Sequence, residues 1–598
     1  MAGRGSLSHI RKSNTSRWRA AVLAAVHVVI AAHATHWLVS GRTLSPVEPS
    51  EAMYTLELGQ VNAGFVFLVV ALLATLVFGR FICGWGCHLV ALQDICGWMM
   101  RKAGIRPRPF RSRWMLALPA ALAFYMFAWP TLERVVRTLA FRSGWLATPA
   151  APFPGFGSHL TTDAFWATFP GPLLAVLTLL TCGFAAVYFL GAKGFCTYGC
   201  PYGALFGFAA RFAPGNIVVS DACEQCGHCT ASCTSNVLVH EEVRLYGQVV
   251  DPGCMKCMDC VSVCPKGALS FSFSTPAIFK KAPPGATRMR RYVLNSGREI
   301  FVAVVAVAAT LAFRGLYDGP PLLMSVGLGG ITAFVALKLW QLPRDSTVRI
   351  QNLTLKAGGR TTRAAWPFAI AALGWLAFAS HSAFVQWERS RGRAALERTE
   401  ASRDEALSGE FVRRSYSESH DRAVERAYGH FRLADRWGLV DVVEIELGLA
   451  WTHLLRGEPG MAEKRLRAAV ELAPADATLH QHVVDFLLAR GRANDAIEAL
   501  ELKIREAGGT VPDHYNLGGL LRRLDRNEEA IEHLEIAARR MPDDADTRIE
   551  LGLAYAALGR NDEAASALRR AIELDPDSPE SRLHLPEVIR RIEAGEAR

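Results

Sequence analysis

Cysteine is missing from two long parts of this 598-residue chain, residues 1–82 and 265–598. All fourteen cysteines lie between these parts, which excludes a disulfide scaffold for the long C-terminal part. The chain also lacks a small-x-small cleavage site after its first apolar stretch, so we expect this stretch to remain as an anchor. No catalytic acid, base and nucleophile set stands out, and the sequence therefore does not indicate a self-contained enzyme.

Charged residues are also sparse. They make up 20% of the chain, and the net charge is +10. The cations cluster in the loops that set membrane topology, where they would rest against anionic lipid headgroups. The charge thus predicts contact with membrane lipid and needs no nucleic acid to explain it.

What the chain does contain is two cysteine runs separated by a 20-residue gap. They are Cys223-x2-Cys226-x2-Cys229-x3-Cys233 and Cys254-x2-Cys257-x2-Cys260-x3-Cys264-Pro265. Runs of this kind give three thiolates to one [4Fe–4S] cluster and the fourth to the other cluster. The predicted ligands are Cys223, Cys226, Cys229 and Cys264 for the first cluster, and Cys254, Cys257, Cys260 and Cys233 for the second. The spacing therefore predicts a two-cluster ferredoxin module.

A zinc ribbon is the alternative interpretation, because paired Cys-x2-Cys steps also suit tetrahedral Zn²⁺. A zinc site needs only two thiolates from each step. Each run here offers three at the same spacing and a fourth beyond them, which favours iron–sulfur clusters.

The rest of the composition indicates a membrane protein. Hydrophobic residues make up 51% of the chain, and the mean hydropathy is +0.15. A bilayer core of about 30 Å requires about 20 apolar residues in a helix. The predicted spans are 18–39, 61–79, 114–130, 172–191, 300–316, 320–341 and 366–387. The fifth is the weakest, because its apolar run of 14 residues ends at Arg314 and could instead form a buried or re-entrant segment.

Cations in the loops predict the orientation. The N-terminal arm, the loop after the second span and the 342–365 loop are basic, whereas the loop after the first span has only Arg42. This places the N-terminus and the ferredoxin module in the cytoplasm. With seven spans, the C-terminal part lies in the periplasm of a bacterium; with six, it lies in the cytoplasm.

A second cysteine pattern occurs twice in the membrane part. Arg80-Phe-Ile-Cys83-Gly-Trp-Gly-Cys87-His88 follows the second span, and Lys193-Gly-Phe-Cys196-Thr-Tyr-Gly-Cys200-Pro201 follows the fourth. The match predicts that spans one and two are repeated as spans three and four, and such repeats often build a shared site. On a helix, Cys-x3-Cys places two sulfurs one turn apart on one face.

Four such thiols, Cys83, Cys87, Cys196 and Cys200, can hold a further cluster or metal, act as redox dithiols, or only pack. We predict a redox or metal role because the pattern is duplicated beside a ferredoxin. His88 stands where the second copy has proline and is a further candidate ligand. Cys96 and Cys182 show no comparable pattern and are predicted to pack.

Histidines within the spans are a weaker signal. The first span contains His27, His33 and His36, and the seventh contains His381 near its outer end. Ionisable residues inside a bilayer are functional candidates, so a quinone, haem or copper site would fit at His33, His36 and His381. Histidines hydrogen-bonded near the interface are the alternative, which we favour.

The ordered motifs resemble the membrane polyferredoxins typified by NapH, the C-terminal part of NosR, and the FixG, CcoG and RdxA proteins. The resemblance rests on the two Cys-x3-Cys motifs and the tandem ferredoxin runs. It implies electron transfer through a bacterial inner membrane, in quinol-linked nitrate or nitrous-oxide respiration or in copper reduction during oxidase assembly. The chain departs from the family at His88, which replaces a proline, and it lacks the NosR flavin domain and the FixG immunoglobulin-like tail.

The C-terminal part has a 34-residue period. Alanine recurs at 462, 496, 530 and 564, and glycine or aspartate at 457, 491, 525 and 559. This period resembles the tetratricopeptide repeat, a helix–turn–helix unit that must stack to bury its apolar face. We predict four repeats over 443–578 and a polar capping helix over 579–598. Protein docking is the default function of such an array.

The predicted fold class is multi-domain: an α-helical membrane bundle with an inserted α+β two-cluster ferredoxin module and a C-terminal all-α solenoid. The predicted regions are a membrane region (1–213), the ferredoxin module (214–275), a second membrane region (276–387), a charged helical linker (388–442) and the repeats with their cap (443–598).

The sequence predicts an iron–sulfur protein of the bacterial inner membrane. It would pass electrons between a cytoplasmic or quinol-linked donor and a membrane or periplasmic redox partner docked on the repeats. Two [4Fe–4S] clusters are the expected cofactors, with a further metal or cluster at the Cys-x3-Cys motifs and a quinone as additional options. The alternative is an assembly factor of a respiratory oxidoreductase, copper reduction included, whose repeats are a docking scaffold.

Overall fold

The computed structural model describes residues 14–105, 107–143, 151–165, 171–286, 294–408, 416–577 and 585–594. Part of the predicted N-terminal cationic arm and part of the predicted capping region lie outside these residues. The described chain is mostly helical and divides into two compact units, Met1–Ala383 and Phe384–Arg598.

The described helices of the first membrane region range from 26 residues in the first to 5 residues in those that carry the first cysteine of each Cys-x3-Cys motif. They are α1 (Thr15–Ser40), α2 (Ala52–Leu58), α3 (Ala63–Phe78), α4 (Phe81–Trp85), α5 (His88–Lys102), α6 (Leu118–Ala123), α7 (Trp129–Arg142), α8 (Pro172–Thr178), α9 (Ala186–Leu190), α10 (Gly194–Tyr198) and α11 (Pro201–Ala209). Helices α6 and α7 are joined through a π-helical stretch, as are α8 and α9, so each pair forms one continuous rod.

Short strands tie together the loops at the other ends of these helices. They are β1 (Thr43–Leu44), β2 (Gln60–Val61), β3 (Gly157–Ser158) and β4 (Thr161–Thr162). Strand β1 pairs antiparallel with β4, and β2 pairs parallel with β3.

The ferredoxin region opens and closes with a strand. Strand β5 (Gly215–Val219) pairs antiparallel with β6 (Leu269–Phe273), which brings the beginning and end of the region together. Between them lie three short helices, α12 (His228–Ser232), α13 (Val239–Tyr246) and α14 (Asp259–Ser262). Buried Ile217, Val243 and Leu269 form a core that also contains sulfurs of both cysteine runs. A small apolar core thus supports the cysteine loops from one side.

The remaining membrane helices are α15 (Ser296–Phe313), α16 (Leu322–Arg344) and α17 (Ala365–Leu396). A three-stranded antiparallel sheet lies between the last two in sequence: β7 (Val348–Ile350), β8 (Leu353–Ala357) and β9 (Arg360–Thr361).

Six of the seven predicted spans correspond to helices that are long and apolar enough to cross a membrane. The predicted fifth span is among them, as the 18-residue helix α15. The second span is the short one, because α3 has 16 residues and a length of about 24 Å at 1.5 Å per residue. The doubtful crossing is therefore α3 rather than α15.

The helix that follows each Cys-x3-Cys motif packs against the other half of the repeat. Helix α5 packs against the fourth span, where Gln93 Nε2 donates to Cys182 O at 3.3 Å. Helix α11 packs against the second span, where Tyr202 and Phe206 share a cluster with Leu68. Each half of the repeat therefore completes the packing of the other half.

The C-terminal unit starts within α17 and then contains α18 (Arg403–Ser408) and α19 (Glu418–Trp437). Its described residues continue as four helix pairs and a final helix. These are α20 (Val443–Leu455) with α21 (Pro459–Leu472), α22 (Ala477–Leu488) with α23 (Ala493–Ala507), α24 (Val511–Arg523) with α25 (Asn527–Arg540), α26 (Ala545–Ala557) with α27 (Asn561–Leu574), and α28 (Leu585–Glu593). The pairs follow the predicted 34-residue period.

The periodic residues have clear structural roles in this unit. The four alanines are fully buried where the helices of each pair meet: Ala462, Ala496, Ala530 and Ala564. The four turn residues all have left-handed backbone, at φ values of 74°, 67°, 58° and 72°: Gly457, Gly491, Asp525 and Gly559. Helix α19, within the predicted linker, packs closely on α20, because a Cβ on Gly448 would lie 2.5 Å from Phe431 Cζ.

Replacing Gly552 with alanine should destabilise the C-terminal unit by about 1–3 kcal/mol, the usual effect of overpacking a core. A Cβ at this position would lie 2.7 Å from Leu568 Cγ, across the helix pair. Thermal unfolding followed by circular dichroism measures the effect. Gly460→Ala is the matched control, because a Cβ there meets nothing within 4 Å and the site is exposed. An equal effect of both substitutions would contradict the packing argument.

Candidate functional site

The first predicted cluster site is a pocket in the ferredoxin region. Its wall is formed by Cys223, Cys226 and Cys229 of the first run together with Cys264 of the second run. His240, Pro265 and Lys266 also line it. The fold thus brings together the four cysteines that the crossed-over spacing assigns to one cluster.

The second predicted site groups the other four cysteines. The thiol of Cys233 lies close enough to Cys254 and Cys257 for their charges to interact, and the thiol of Cys260 lies close to both Cys254 and Cys233. Burial raises the pKa of the Cys233 thiol to about 12, and the nearby backbone N–H of Val237 acts in the opposite direction. At neutral pH such a thiol ionises when a metal binds and displaces its proton.

The two cysteine loops share one backbone conformation. The residues on either side of the second cysteine have positive φ in both runs: Gln225 at 54°, Gly227 at 78°, Lys256 at 50° and Met258 at 62°. Three of these residues are not glycine, so the conformation is strained in both loops. Left-handed residues in such loops turn backbone N–H groups toward a concave centre, an arrangement found at many iron–sulfur sites.

The four thiols of the Cys-x3-Cys motifs form a second centre, here called the four-thiol pocket (Cys83, Cys87, Cys196 and Cys200). The thiol of Cys196 lies close enough to those of Cys87, Cys200 and Cys83 for their charges to interact. Cys83 and Cys87 also border the apolar cluster that buries Cys196. The structure therefore brings together cysteines that are more than 100 positions apart in sequence.

The arrangement of each motif differs from the expected single helical turn. Helix α4 ends at Trp85, and Cys87 is extended, with φ −89° and ψ 121°; α10 ends at Tyr198, and Cys200 is extended in the same way, with φ −90° and ψ 111°. The expectation of one continuous turn was wrong because a glycine breaks the helix before the second cysteine.

The second cysteine of each motif begins a new helix. Cys87 is the N-cap residue of α5, and Cys200 is the N-cap residue of α11. The backbone N–H of Val90 lies near the sulfur of Cys87, and that of Gly203 lies near the sulfur of Cys200. Burial opposes ionisation of both thiols, and the helix N-terminus, which favours negative charge, partly offsets this effect.

A ferredoxin loop closes the four-thiol pocket. Met255, which stands between two predicted ligands of the second cluster, is 2% exposed and packs with Cys196 and Val90. Nearby, Trp85 Nε1 donates to Lys256 O at 3.0 Å, and a Cβ on Gly84 would lie 2.2 Å from Met255 O. The cysteine loop of the second cluster and the four-thiol pocket are therefore in direct contact.

Sequence reasoning missed Met255 and the buried cations Arg80 and Lys193 beside the pocket, which are 5% and 2% exposed. The matching basic residues three positions before each first cysteine were a usable signal, because a buried cation near thiols requires a reason. No sequence signal marks Met255.

The predicted histidines have other partners. His33 Nε2 hydrogen-bonds Leu44 O at 3.1 Å, and His36 Nδ1 hydrogen-bonds Thr43 Oγ1 at 3.0 Å. His88 Nε2 lies 3.7 Å from Glu48 Oε1, while His381 lies half-buried on α17. Among the described residues, three metal-ligating side chains have their ligand atoms within 4.8 Å of one another: Asp435, Asp441 and Glu446. The predicted histidines belong to no such group in the described part of the chain.

Three family models match four parts of the chain. A 4Fe-4S dicluster domain matches residues 222–269, a 4Fe-4S binding domain matches 62–106 and again 173–219, and a tetratricopeptide repeat matches 515–579. The double match of one model to both Cys-x3-Cys regions agrees with the predicted internal repeat.

Several curated proteins are similar to the first part of the chain. YccM of Escherichia coli, named for electron transport, is 28% identical over 240 residues, which are 39% of this chain and 62% of that protein. The ferredoxin-type protein NapH of Haemophilus influenzae is 26% identical (36% and 67% of the two chains), and MauN of Methylorubrum extorquens, a methylamine utilization ferredoxin-type protein, is 27% identical (33% and 66%). The chain thus spans less than two thirds of YccM.

Parts of the chain are also similar to solved structures. MamA of Desulfovibrio magneticus is 20% identical, with 26% of this chain and 86% of that chain covered and a TM-score of 0.23. YrrB, a TPR protein with an unusual peptide-binding site, is 18% identical, with 28% and 86% covered and a TM-score of 0.24. The repeat assignment rests on the family model and the four helix pairs. The predicted resemblance is therefore confirmed: the chain is similar to NapH-type ferredoxin proteins over its 4Fe–4S part, and it carries a tetratricopeptide repeat region at its C-terminal end.

Proposed function

We propose that this chain carries electrons in a bacterial inner membrane through a series of three redox centres. The first two are [4Fe–4S] clusters held by Cys223, Cys226, Cys229 and Cys264, and by Cys254, Cys257, Cys260 and Cys233. The third is a metal cluster in the four-thiol pocket. When bound, these clusters supply one-electron chemistry, while the protein supplies ligation, burial and hydrogen bonds that set their potentials.

One observation carries this proposal, namely the contact between the second cluster's cysteine loop and the four-thiol pocket. Met255 follows Cys254 directly and packs beside Cys196. The thiol of Cys260 also lies close to Cys229, a ligand proposed for the first cluster. The order of the series is therefore first cluster, second cluster, four-thiol pocket.

The donor and acceptor follow from the topology. We propose that the ferredoxin region lies with the basic loops on the cytoplasmic side and that the short helix α3 also crosses the membrane, so that seven crossings would put the repeats in the periplasm. We propose a cytoplasmic or quinol-linked donor and an outer redox protein that docks on the repeats. A quinol would release two electrons and two protons, and the centres would accept the electrons one at a time.

The repeat array would act by raising the local concentration of its partner. Stacked helix pairs form an extended surface for protein docking, and tethering increases effective concentration without changing the redox centres. The alternative function is an assembly factor in which the array recruits an oxidoreductase and the clusters are only structural.

Deleting residues 388–598 separates these functions. We expect the clusters to be reduced by duroquinol at the rate of the full chain, because their ligands lie elsewhere. Activation of the outer partner should fall by about tenfold or more, since docking is lost. Cluster absorbance and partner turnover measure the two effects.

The matched variant is the full chain with the eight ferredoxin cysteines replaced by serine. If the chain is an electron carrier, this variant also fails to activate the partner, as the deletion variant does. Full activation without ferredoxin clusters would contradict the proposal and favour the scaffold.

A further inference from the structure

The four-thiol pocket has two buried cations at equivalent positions of the repeat, and they differ in how their charge is balanced. Arg80 stands three residues before Cys83, and Lys193 stands three residues before Cys196. Both are at least 95% buried. Each reaches across to the other half of the repeat, because Arg80 lies beside Gly203 of α11 and Lys193 bonds to α5.

Lys193 is paired with a carboxylate. Its Nζ contacts Asp94 Oδ1 and donates to Val90 O at 3.4 Å. Asp94 is shared with Arg19, whose Nε donates to Gly84 O at 2.7 Å and whose Nη1 lies 3.7 Å from Asp259 Oδ2. The charges of this network balance as two cations and two carboxylates.

Arg80 has a different environment. Its Nη1 donates to the backbone oxygen of Pro252 at 3.0 Å, and its Nε has no hydrogen-bond acceptor among the described residues. No carboxylate in the described part of the chain forms an ion pair with it. Its neighbouring ionisable groups are the thiols of Cys83, Cys200 and Cys196.

A buried guanidinium without a counter-ion is strongly unfavourable, so folded proteins pair such a group with negative charge. Here the groups that can provide that charge are the thiols, once they are ionised. A cluster core of charge 2+ held by four thiolates has a net charge of 2−, which one guanidinium partly balances. Neutral dithiols or plain packing leave Arg80 uncompensated.

We propose that the four-thiol pocket holds an anionic metal–thiolate centre and that Arg80 is the positioning residue that stabilises its charge and raises its reduction potential. This inference rests on the proposed third centre and adds the sign of its charge and the residue that balances it. A nearby cation favours the more negative, reduced state of the centre. Through Pro252, the same guanidinium also ties the pocket to the ferredoxin loop.

Redox titration of the full-length protein in detergent, followed by electron paramagnetic resonance and iron analysis, tests the proposal. Arg80→Met should lose the third signal or shift its midpoint downward by at least about 59 mV, a tenfold change in the oxidised-to-reduced ratio for one electron. Arg80→Lys keeps the charge and should retain the signal near its original midpoint. The two ferredoxin signals report on folding and should be unchanged in both variants.

The double variant Lys193→Met/Asp94→Asn is the charge-conserving control, and we expect it to shift the midpoint less than Arg80→Met does. An unchanged third midpoint in Arg80→Met would overturn the inference while leaving the three-centre proposal intact. Wild-type protein with only the two ferredoxin signals, and with all four pocket thiols open to alkylation, would instead overturn the third centre itself.

Discussion

Replacing Cys264 with serine should remove or convert the cluster held mainly by the first cysteine run, although Cys264 belongs to the second run. The reason is the crossed-over arrangement, in which Cys264 shares a pocket with Cys223, Cys226 and Cys229. The reciprocal variant, Cys233→Ser, should affect the cluster of the second run, because Cys233 lies beside Cys254 and Cys257. Each change should remove about four iron atoms per chain or leave a three-iron cluster.

Electron paramagnetic resonance of anaerobically reduced protein distinguishes the two assignments. Cys226→Ser and Cys257→Ser serve as references, because they lie in the middle of the first and second run, respectively. We expect the Cys264→Ser spectrum to match that of Cys226→Ser, and the Cys233→Ser spectrum to match that of Cys257→Ser. The opposite matching would show that each run builds its own cluster, and zinc in place of iron would contradict both assignments.

Cysteine spacing predicts the grouping of the eight ferredoxin residues, because short steps between ligands leave the chain few ways to surround a cluster. The structure places Cys264 in one pocket with the first run, and the ligand assignment itself stays a prediction. The 34-residue period was equally informative, since a helix pair that cannot bury its own face must stack in register. Ala530 and Asp525 hold recurring positions of this period, and the structure places the first at a buried contact and gives the second a left-handed backbone.

Other features depend on contacts between distant parts of the chain, which local patterns do not encode. The packing of α5 and of α11 against the opposite half of the repeat is one such feature. The break between Cys83 and Cys87 is another, because the motif reads equally well as one helical turn. The role of Met255 depends on how a ferredoxin loop meets the membrane helices. Hydrophobic length likewise identified α15 as the doubtful span, whereas the helix bounds point to α3.

The strongest test of the third centre is Cys200→Ser. Cys200 caps α11, and its sulfur lies close to those of Cys87 and Cys83. Loss of a direct ligand should lower metal affinity by at least about 100-fold, because even outer-shell partners contribute about 10–100-fold. We therefore expect the third signal to disappear and, if the centre is a cubane, about four iron atoms per chain to be lost. Electron transfer between the ferredoxin clusters and the membrane-side partner should fall because the third centre is missing.

Cys96→Ser provides a matched control for this substitution. Cys96 is also a membrane-region cysteine and is 1% exposed, but it packs closely against Gly183, where a Cβ would lie 3.0 Å from its sulfur. The apolar cluster around Cys96 contains no cysteine of the four-thiol pocket, so the iron content and all signals of Cys96→Ser should remain unchanged.

Rapid-freeze spectroscopy after mixing with reductant resolves the order in which the centres are reduced. In Cys200→Ser, both ferredoxin clusters should still be reduced, but electrons should no longer leave them. Normal electron transfer in Cys200→Ser would remove the four-thiol pocket from the pathway, and an equal loss in Cys96→Ser would attribute the effect to packing rather than to ligation.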